Sequence, residues 1–194
     1  ADKVILTCRY TAILMASILK SKGIPARVRA GHASYFAFEK SMDMSADHWI
    51  NQYWDEHQQR WITIDVDGSL SLVEDFDPYD LSEGKFDFPA VAWRLLRAGK
   101  VDPLRFWNGK PERGQLVLLW SLFYDFHCLM NSEILYTHSP KWGNAQNFSM
   151  LTPKQFAQID NLAMLMSDPD QHFASLQKIW ESEREFRILY GSLL

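Results

Sequence analysis

The sequence predicts an α+β fold, in which a helix packs on a small antiparallel sheet and a mainly α-helical extension follows. Two observations lead to this prediction. Apolar residues recur at helical spacing near the start of the chain, and strand-like runs follow it up to about residue 66. After about residue 75 the strand signals fade and helical patterns replace them. We therefore expect a core over residues 1–78 and a helical extension over residues 79–194 that packs on this core.

The first element is a helix that begins at Cys8. Apolar side chains recur every three or four residues from Ile5 to Leu19, which is the spacing of one helix face. Thr7 is of the residue type that caps helix N-termini, and Gly23 is of the type that ends helices. The pattern therefore places a thiol at the N-terminal end of a helix.

Three strand-like runs come next, and a short polar segment typical of a hairpin loop joins the last two. Apolar and polar residues alternate most clearly in the third run, as they do in a strand with one buried face. The runs are "ARVRAGHASYF" (26–36), "DHWINQYW" (47–54) and "RWITIDV" (60–66), and the loop is "DEHQQ" (55–59). We expect these runs to form the antiparallel sheet.

The later part of the chain is predicted to be a loop followed by four helices. Residues 74–89 are acidic and contain Pro and Gly, which is typical of a connecting loop. Thr152 and Gln155 have the spacing of a capping box, and Asp168 followed by Pro169 gives a second helix start. The predicted helices span Ala90–Ala98, Gln115–Tyr136, Pro153–Met166 and Pro169–Tyr190.

Composition and charge argue against several classes of protein. The net charge is -4 and the basic residues are scattered, so no basic surface for nucleic acid or for an anionic membrane is indicated. The longest apolar run, residues 116–130, is too short to span a membrane and predicts a buried helix. Two cysteines do not make a disulfide framework, and no signal peptide is visible. We expect a cytoplasmic protein with neither nucleic-acid nor membrane partners, and the oligomeric state is left open.

Two carboxylates, Asp125 and Glu133, lie in the apolar stretch that is predicted to be a long helix. Their spacing of eight residues puts them on roughly the same helix face. A buried carboxylate needs a partner. We expect an ion pair with Arg94, Arg97 or Arg105.

Cys8 is the first candidate for a functional residue. A thiol nucleophile needs a lowered pKa, a base within reach and a group that orients this base. The N-terminal end of a helix supplies the first, since its free N–H groups and dipole favour a thiolate. A structural interpretation stays open, because free cysteines are commonly buried as small apolar side chains. We interpret Cys128, in the middle of an apolar run, in that way.

His48 and Asp65 are the candidates for the base and for the group that orients it. If the hairpin loop has an even number of residues, the two side chains fall on the same face of the sheet. A two-residue loop places them opposite each other, and a four-residue loop makes them diagonal neighbours. His57 lies in the loop and is expected to be exposed. A metal site is the other interpretation of Cys, His and Asp, but no CxxC or HxxxH spacing supports it.

These residues and motifs resemble the transglutaminase-like superfamily over about residues 4–67. The shared features are a Cys at a helix start, "GIPAR" behind it, then "DHW" and "WITID", in the order Cys, His, Asp. The resemblance implies a papain-like fold, with Cys8 as nucleophile, His48 as base and Asp65 as the orienting carboxylate.

The resemblance also implies a reaction on an amide or peptide bond of a protein or peptide substrate, through a thioester acyl-enzyme. Water resolves this intermediate in a peptidase or amidase, and an amine resolves it in a cross-linking transferase. Small bacterial members of the superfamily are more often hydrolytic, so we expect a hydrolase. Trp49 and Trp54 are expected to line the acyl site, and no cofactor or metal is expected.

Two features depart from the family's pattern. The residue after Asp65 is Val66, where the family usually has Pro. Only seven residues precede Cys8, whereas members carry upstream sequence whose side chain often helps the oxyanion hole. A core truncated at its N-terminus is one interpretation, and the backbone N–H of Cys8 then remains as one donor. Because loss of such a donor costs on the order of a hundredfold in rate, a weak or inactive fold that serves as a protein-binding module is the alternative.

Overall fold

The computed structural model describes residues 5–36, 43–72, 74–136, 138–187 and 189–190. Its fold is α+β, as the sequence predicts: the first helix packs on a five-stranded sheet, and several helices follow. In chain order the elements are α1 (Cys8–Ser21), β1 (Ala26–Ala33), β2 (Ser45–Asp55), β3 (Arg60–Ile64), β4 (Phe86–Asp87), α2 (Pro89–Arg97), β5 (Phe106–Trp107), α3 (Gln115–Leu129), β6 (Ser139–Pro140), α4 (Ala145–Ser149), α5 (Pro153–Met166), α6 (Phe173–Ser182) and β7 (Leu189–Tyr190).

The three long strands of the sheet are the three that the sequence predicts. Their order is β3-β2-β1, and all neighbours are antiparallel. Asp55 faces Arg60, so residues 56–59 form a four-residue loop, and the carboxylate of Asp55 accepts backbone N–H groups of His57 and Gln58. The hairpin loop therefore has an even number of residues, as the argument for His48 and Asp65 requires.

Two short strands complete the sheet and were not predicted. Strand β4 pairs antiparallel with the end of β1, and β5 pairs in parallel with the start of β2. Each has two residues, too few to show the alternation that identifies a strand in a sequence. Both come from the chain after residue 79, while their partners lie before residue 67, and the division into a core and an extension stays a prediction.

Helix α1 begins and ends where the sequence predicts, but one cap differs. Gly23 has φ of +77°, which is the left-handed conformation that ends helices, and its N–H donates to the carbonyl of Lys20. Thr7 stands at the N-cap position with an extended backbone, yet its side chain makes no capping bond. Its carbonyl oxygen accepts the N–H of Thr11 instead.

The later helices agree with the sequence where caps are strong. Helix α5 has the predicted bounds, with the capping box of Thr152 and Gln155. Helix α3 ends at Leu129 rather than Tyr136, because Asn131 takes a left-handed conformation with φ of +53°. The last predicted helix was wrong at both ends, since α6 spans only residues 173–182 and Asp168 instead accepts the N–H of Gln171 in a turn. Helix α4, with five residues, was not predicted.

Helix α3 contacts both the later helices and the sheet. One side packs in a large apolar core with α2, α5 and α6, where Trp93, Phe123 and Phe126 are fully buried. Its Asp125 reaches β1 and binds Arg29 and the N–H of Ala30.

The predicted partners of Asp125 were therefore wrong. Because β4 pairs with β1 only at residues 32–33, the rest of this edge of β1 has no β4 residue beside it. Asp125 of α3 binds there, to the N–H of Ala30 and to Arg29. Arg97 instead binds Asp160, and Arg105 binds Asp87. Glu133 lies beyond the end of α3. In the described part of the chain, no helix has both the length and the apolar character needed to cross a membrane.

Candidate active site

Cys8 is the first residue of α1, and its thiol is partly buried beside the sheet. The free N–H groups of the first helical turn lie at this end of α1, where they favour a negative charge. The Sγ atom of Cys8 lies 3.5 Å from the hydroxyl of Tyr136, at hydrogen-bond distance for sulfur. The thiol thus has a polar neighbour that lies 128 positions further along the chain.

His48 lies in β2 and is completely buried. Its Nε2 atom lies 2.9 Å from Oδ2 of Asp65, which follows directly after β3. Asn51 faces Ile64 across the hairpin, so Asp65 is the diagonal neighbour of His48, as expected for a four-residue loop. The structure therefore brings together the two residues that strand parity selects.

Asp65 is held from several sides. The hydroxyl of Tyr35 donates to Oδ2 at 2.9 Å, and the backbone N–H of Asp67 donates to Oδ1 at 3.0 Å. Burial acts to raise the pKa of Asp65, but the bonds and charge of His48 and the bond from Tyr35 outweigh it, so this pKa is lowered. The carboxylate is therefore ionised and fixed in position.

The ring of His48 is clamped by aromatic side chains. Phe36 stacks on it with ring centroids 4.7 Å apart, and Tyr35 meets it edge-on at 6.0 Å. Because Nε2 bonds to Asp65, the remaining ring nitrogen is Nδ1, which makes no hydrogen bond of ordinary geometry. Burial acts to lower the pKa of His48, yet Asp65 and Cys8 together raise it to about 9.

The pKa of Cys8 moves in the opposite direction to that of His48. Burial acts to raise the pKa of the thiol, but the proximity and charge of the His48 ring outweigh this effect. Bonds from the Tyr136 hydroxyl and the Trp49 backbone lower it further. A lowered thiol pKa beside a raised imidazole pKa favours a thiolate–imidazolium pair, with the proton on His48.

Tyr136 is the residue at this site that the sequence analysis missed. It lies after α3, in the segment that was predicted to be the end of that helix. Its ring packs edge-on against Trp49 at 5.9 Å, and burial together with the charge of Cys8 raises the pKa of its hydroxyl. The hydroxyl therefore keeps its proton and is able to donate it in a hydrogen bond. No spacing or periodicity in the sequence indicates this contact, because the two residues are 128 positions apart.

The two tryptophans expected at the acyl site lie in different places. Trp49 is buried next to Tyr124 and Tyr136, close to the thiol. Trp54 packs edge-on against Trp61 at the other end of β2, six residues or about 20 Å along the strand from His48. Their roles in binding a substrate stay predictions.

The second cysteine has surroundings of another kind. Cys128 is 2% exposed within α3, and burial, followed by the charges of Asp125 and Glu133, raises its pKa well above the usual value. His57 is exposed in the hairpin loop, as expected. Within the described ranges, no three His, Cys, Asp or Glu side chains are grouped so that they could hold a metal ion.

Two cavities lie near the sheet but do not contain the thiol. One of about 620 Å³ lies between β4 and α2, and its lining includes Leu81, Phe88 and Arg105. Another of about 580 Å³ lies behind Asp65 and is lined by Met15 and Val66 among others. Neither lining includes Cys8 or His48.

The comparison with protein families agrees with this geometry. Residues 7–66, about a third of the chain, match the family model of the transglutaminase-like superfamily, so this segment is similar to that superfamily. It contains Cys8, His48 and Asp65. No curated protein and no solved structure matches the chain significantly.

Proposed function

We propose that this chain is a cysteine enzyme that cleaves an amide or peptide bond through a thioester acyl-enzyme, with water as the preferred acyl acceptor. The observation that carries the proposal is the contact of His48 with Asp65 through Nε2. This contact leaves Nδ1 of His48 for Cys8, whose pKa is lowered. This arrangement supports the roles of nucleophile for Cys8, acid–base group for His48 and orienting carboxylate for Asp65.

In the first half of the reaction, the thiolate of Cys8 attacks the substrate carbonyl carbon and forms the C–S bond. The carbonyl π electrons move to oxygen, which becomes an oxyanion. When the tetrahedral intermediate collapses, the C–N bond breaks and the amine leaves with the proton that His48 carried. Asp65 keeps the imidazole in the orientation that this proton transfer needs.

In the second half, neutral His48 takes a proton from water while the water oxygen attacks the thioester. The C–S bond breaks, the carboxylic acid leaves and the thiolate–imidazolium pair is restored. An amine in place of water would give a new amide, which is the transferase outcome.

The oxyanion needs donors, and we assign two. The backbone N–H of Cys8, at the free end of α1, is one. The hydroxyl of Tyr136 is the other, since it lies 3.5 Å from the atom that attacks and retains its proton.

The experiment uses N,N-dimethylated casein as a general protein substrate. Release of ammonia reports hydrolysis of side-chain amides, new N-termini report peptide-bond cleavage, and uptake of a fluorescent primary amine reports transfer. We expect release that is lost in Cys8→Ala and retained in Cys128→Ala. Iodoacetamide is expected to modify Cys8 at neutral pH and to leave Cys128 unmodified in the folded protein.

Equal turnover by Cys8→Ala and the intact protein would contradict the proposal. So would a Cys8 thiol that reacts with iodoacetamide no faster than an ordinary thiol, because the lowered pKa predicts a larger thiolate fraction.

One observation favours a second candidate, a protein-binding module with an inactive thiol. Tyr136 comes from the later region and touches the thiol itself, and the two cavities near the sheet exclude Cys8. If Tyr136 acts as a cover, its replacement by Ala will expose the thiol and accelerate alkylation without producing turnover. If Tyr136 acts as a donor, turnover will fall when the hydroxyl is removed.

A further inference from the structure

Arg9, directly after Cys8 in α1, is buried with only 3% of its surface exposed. Its guanidinium lies among three aromatic rings, with Cζ at 5.1 Å from the Tyr10 centroid, 5.4 Å from Trp49 and 5.9 Å from Tyr136. Such cation–π contacts fix the position of a guanidinium but offer it no hydrogen-bond acceptor.

Among the described residues, Arg9 has no hydrogen bond and no ion pair. Its Nε atom is fully shielded and has no acceptor. A buried charge without a partner is costly, and a guanidinium normally holds a carboxylate with two parallel bonds. The same chain shows that arrangement at Arg29, whose Nε and Nη2 atoms hold both oxygens of Asp125 at 2.8 and 2.7 Å.

Tyr136 connects Arg9 to the thiol. Its ring lies over the guanidinium, and its hydroxyl lies 3.5 Å from Sγ of Cys8. The guanidinium and the reacting atom therefore both contact Tyr136. Two or three residues of extended peptide, roughly 7–10 Å long, are expected to reach from one to the other.

One carboxylate, that of Asp47, acts on the same two tyrosines as Arg9. Asp47 of β2 is half-buried, and its charge acts on the hydroxyls of Tyr124 and Tyr136, as the charge of Arg9 also does. No ion pair joins Asp47 to Arg9 in the described residues. Asp47 therefore does not neutralise the guanidinium, although it weakens the attraction that an incoming anion feels.

We propose that Arg9 is a specificity residue that binds a carboxylate of the substrate, so that the acyl donors of this site are acidic peptides or amides. The carboxylate lies two or three residues from the scissile carbonyl and takes the edge of the guanidinium that carries Nη1 and Nη2, because Nε is fully shielded. This inference rests on the proposed function in one respect, that Cys8 is the reacting atom.

The test measures alkylation of Cys8 with pairs of reagents that differ only in charge. Iodoacetyl-glycine, iodoacetyl-β-alanine and iodoacetyl-γ-aminobutyrate are each compared with the corresponding carboxamide at pH 7. In every case the thiolate forms the S–C bond and iodide leaves. We expect the acid to react about tenfold faster than the amide at one chain length, as a charge-assisted hydrogen bond would give.

The matched variants separate Arg9 from the general charge of the protein. Arg9→Gln is expected to bring the ratio of the two rates close to one, while Arg94→Gln, which removes an exposed charge on α2, leaves the ratio unchanged. Arg9→Lys keeps the charge without the fork and is expected to give an intermediate ratio. Asp47→Asn is expected to raise the ratio.

Two outcomes are distinguishable. If Cys8 is alkylated rapidly but its rate ratio is the same in the intact protein and in Arg9→Gln, the carboxylate site is wrong and the proposed function stands. If Cys8 reacts with neither reagent, the proposed function fails. The binding of a carboxylate by Arg9 is then tested separately, through the melting temperature of the Cys8→Ala variant. We expect glutarate to raise this melting temperature more than glutaramide does, and only when Arg9 is present. An equal rise in the Cys8→Ala/Arg9→Gln variant would overturn the inference.

Discussion

The protein buries one arginine at the interface of β1 and α3 and another at the start of α1, and the two surroundings differ in kind. Arg29 and Arg9 are each 3% exposed. Arg29 binds Asp125 through two nitrogens and Gln52 through a third, so each of its polar edges has an acceptor. Arg9 has aromatic rings around it and no acceptor among the described residues.

The comparison shows that the charge of Arg29 stabilises the fold through Asp125, whereas the charge of Arg9 has no acceptor among the described residues. Burial acts to lower the pKa of Arg29, but Asp125 outweighs it and raises the pKa, so the guanidinium stays charged. Around Cys8, in contrast, the charges of the thiol and of His48 depend on each other and change with pH. A buried ion pair therefore joins α3 to the sheet, whereas the charges beside the thiol change with pH.

The largest expected effect comes from breaking the structural pair. Arg29→Met leaves the carboxylate of Asp125 buried without a partner, which costs about 3–5 kcal/mol in the free energy of unfolding. Urea denaturation followed by circular dichroism measures this change. The double variant Arg29→Met/Asp125→Leu replaces the whole pair by apolar groups and is expected to recover most of the loss. A small effect of the single variant would mean that water or another group reaches Asp125.

The second largest effect is expected on kcat, and it concerns the hydroxyl of Tyr136 that we assign as an oxyanion donor. Tyr136→Phe removes only the hydroxyl, so the ring contacts with Trp49 and Arg9 remain. We expect kcat to fall about a hundredfold, as for loss of an oxyanion donor, with little change in KM. The pKa of Cys8 is also expected to rise, since the hydroxyl lowers it. Steady-state kinetics and the pH dependence of alkylation measure both.

Tyr10→Phe is the matched control, because Tyr10 also contacts Arg9 but has no contact with the thiol in the described residues. Unchanged kcat in Tyr136→Phe would remove the donor role and leave Tyr136 as a cover of the thiol.

The third effect is a shift along the pH axis. The leaving amine needs a proton from His48, whose pKa is about 9, so kcat/KM is expected to fall above about pH 9. At low pH activity falls when the thiolate is protonated. Asp65→Asn removes the charge that raises the His48 pKa, so the upper limb is expected to move to lower pH, while Glu56→Gln in the exposed hairpin loop leaves it in place.

A pH profile with an unchanged upper limb in Asp65→Asn would show that another group sets this limb. The ion pair of Arg29 and Asp125 provides the contrast. Arg29 is not expected to give a limb in the same range, because Asp125 raises its pKa.

The sequence predicted the parts of the structure that depend on local rules. Strand parity placed His48 next to Asp65 because the hairpin register is set by a short loop. The ends of α1 and α5 followed from Gly23 and from the capping box of Thr152. These signals act over a few residues and are visible in a single chain.

What the sequence could not provide is contact between distant segments. Tyr136 reaches Cys8 across 128 positions, and the partner of Asp125 is Arg29, 96 positions away. Both contacts depend on where α3 lies on the sheet, which no periodicity reveals. The two-residue strands β4 and β5 also depend on contacts between distant segments, since each pairs with a longer strand from the early part of the chain.

The smallest expected effect completes the comparison of the two arginines. Arg9→Met keeps the length of the side chain and removes a buried charge that has no acceptor. The cost of burying that charge disappears, while cation–π contacts worth roughly 0.5–1 kcal/mol each are lost. We expect the free energy of unfolding to stay within about 1 kcal/mol of the original value, in contrast to the large loss in Arg29→Met. Urea denaturation of the two variants side by side measures the difference. A loss in Arg9→Met as large as that in Arg29→Met would mean that Arg9 also has a structural partner, and the charge at the start of α1 would then belong to the architecture of the fold rather than to its substrate.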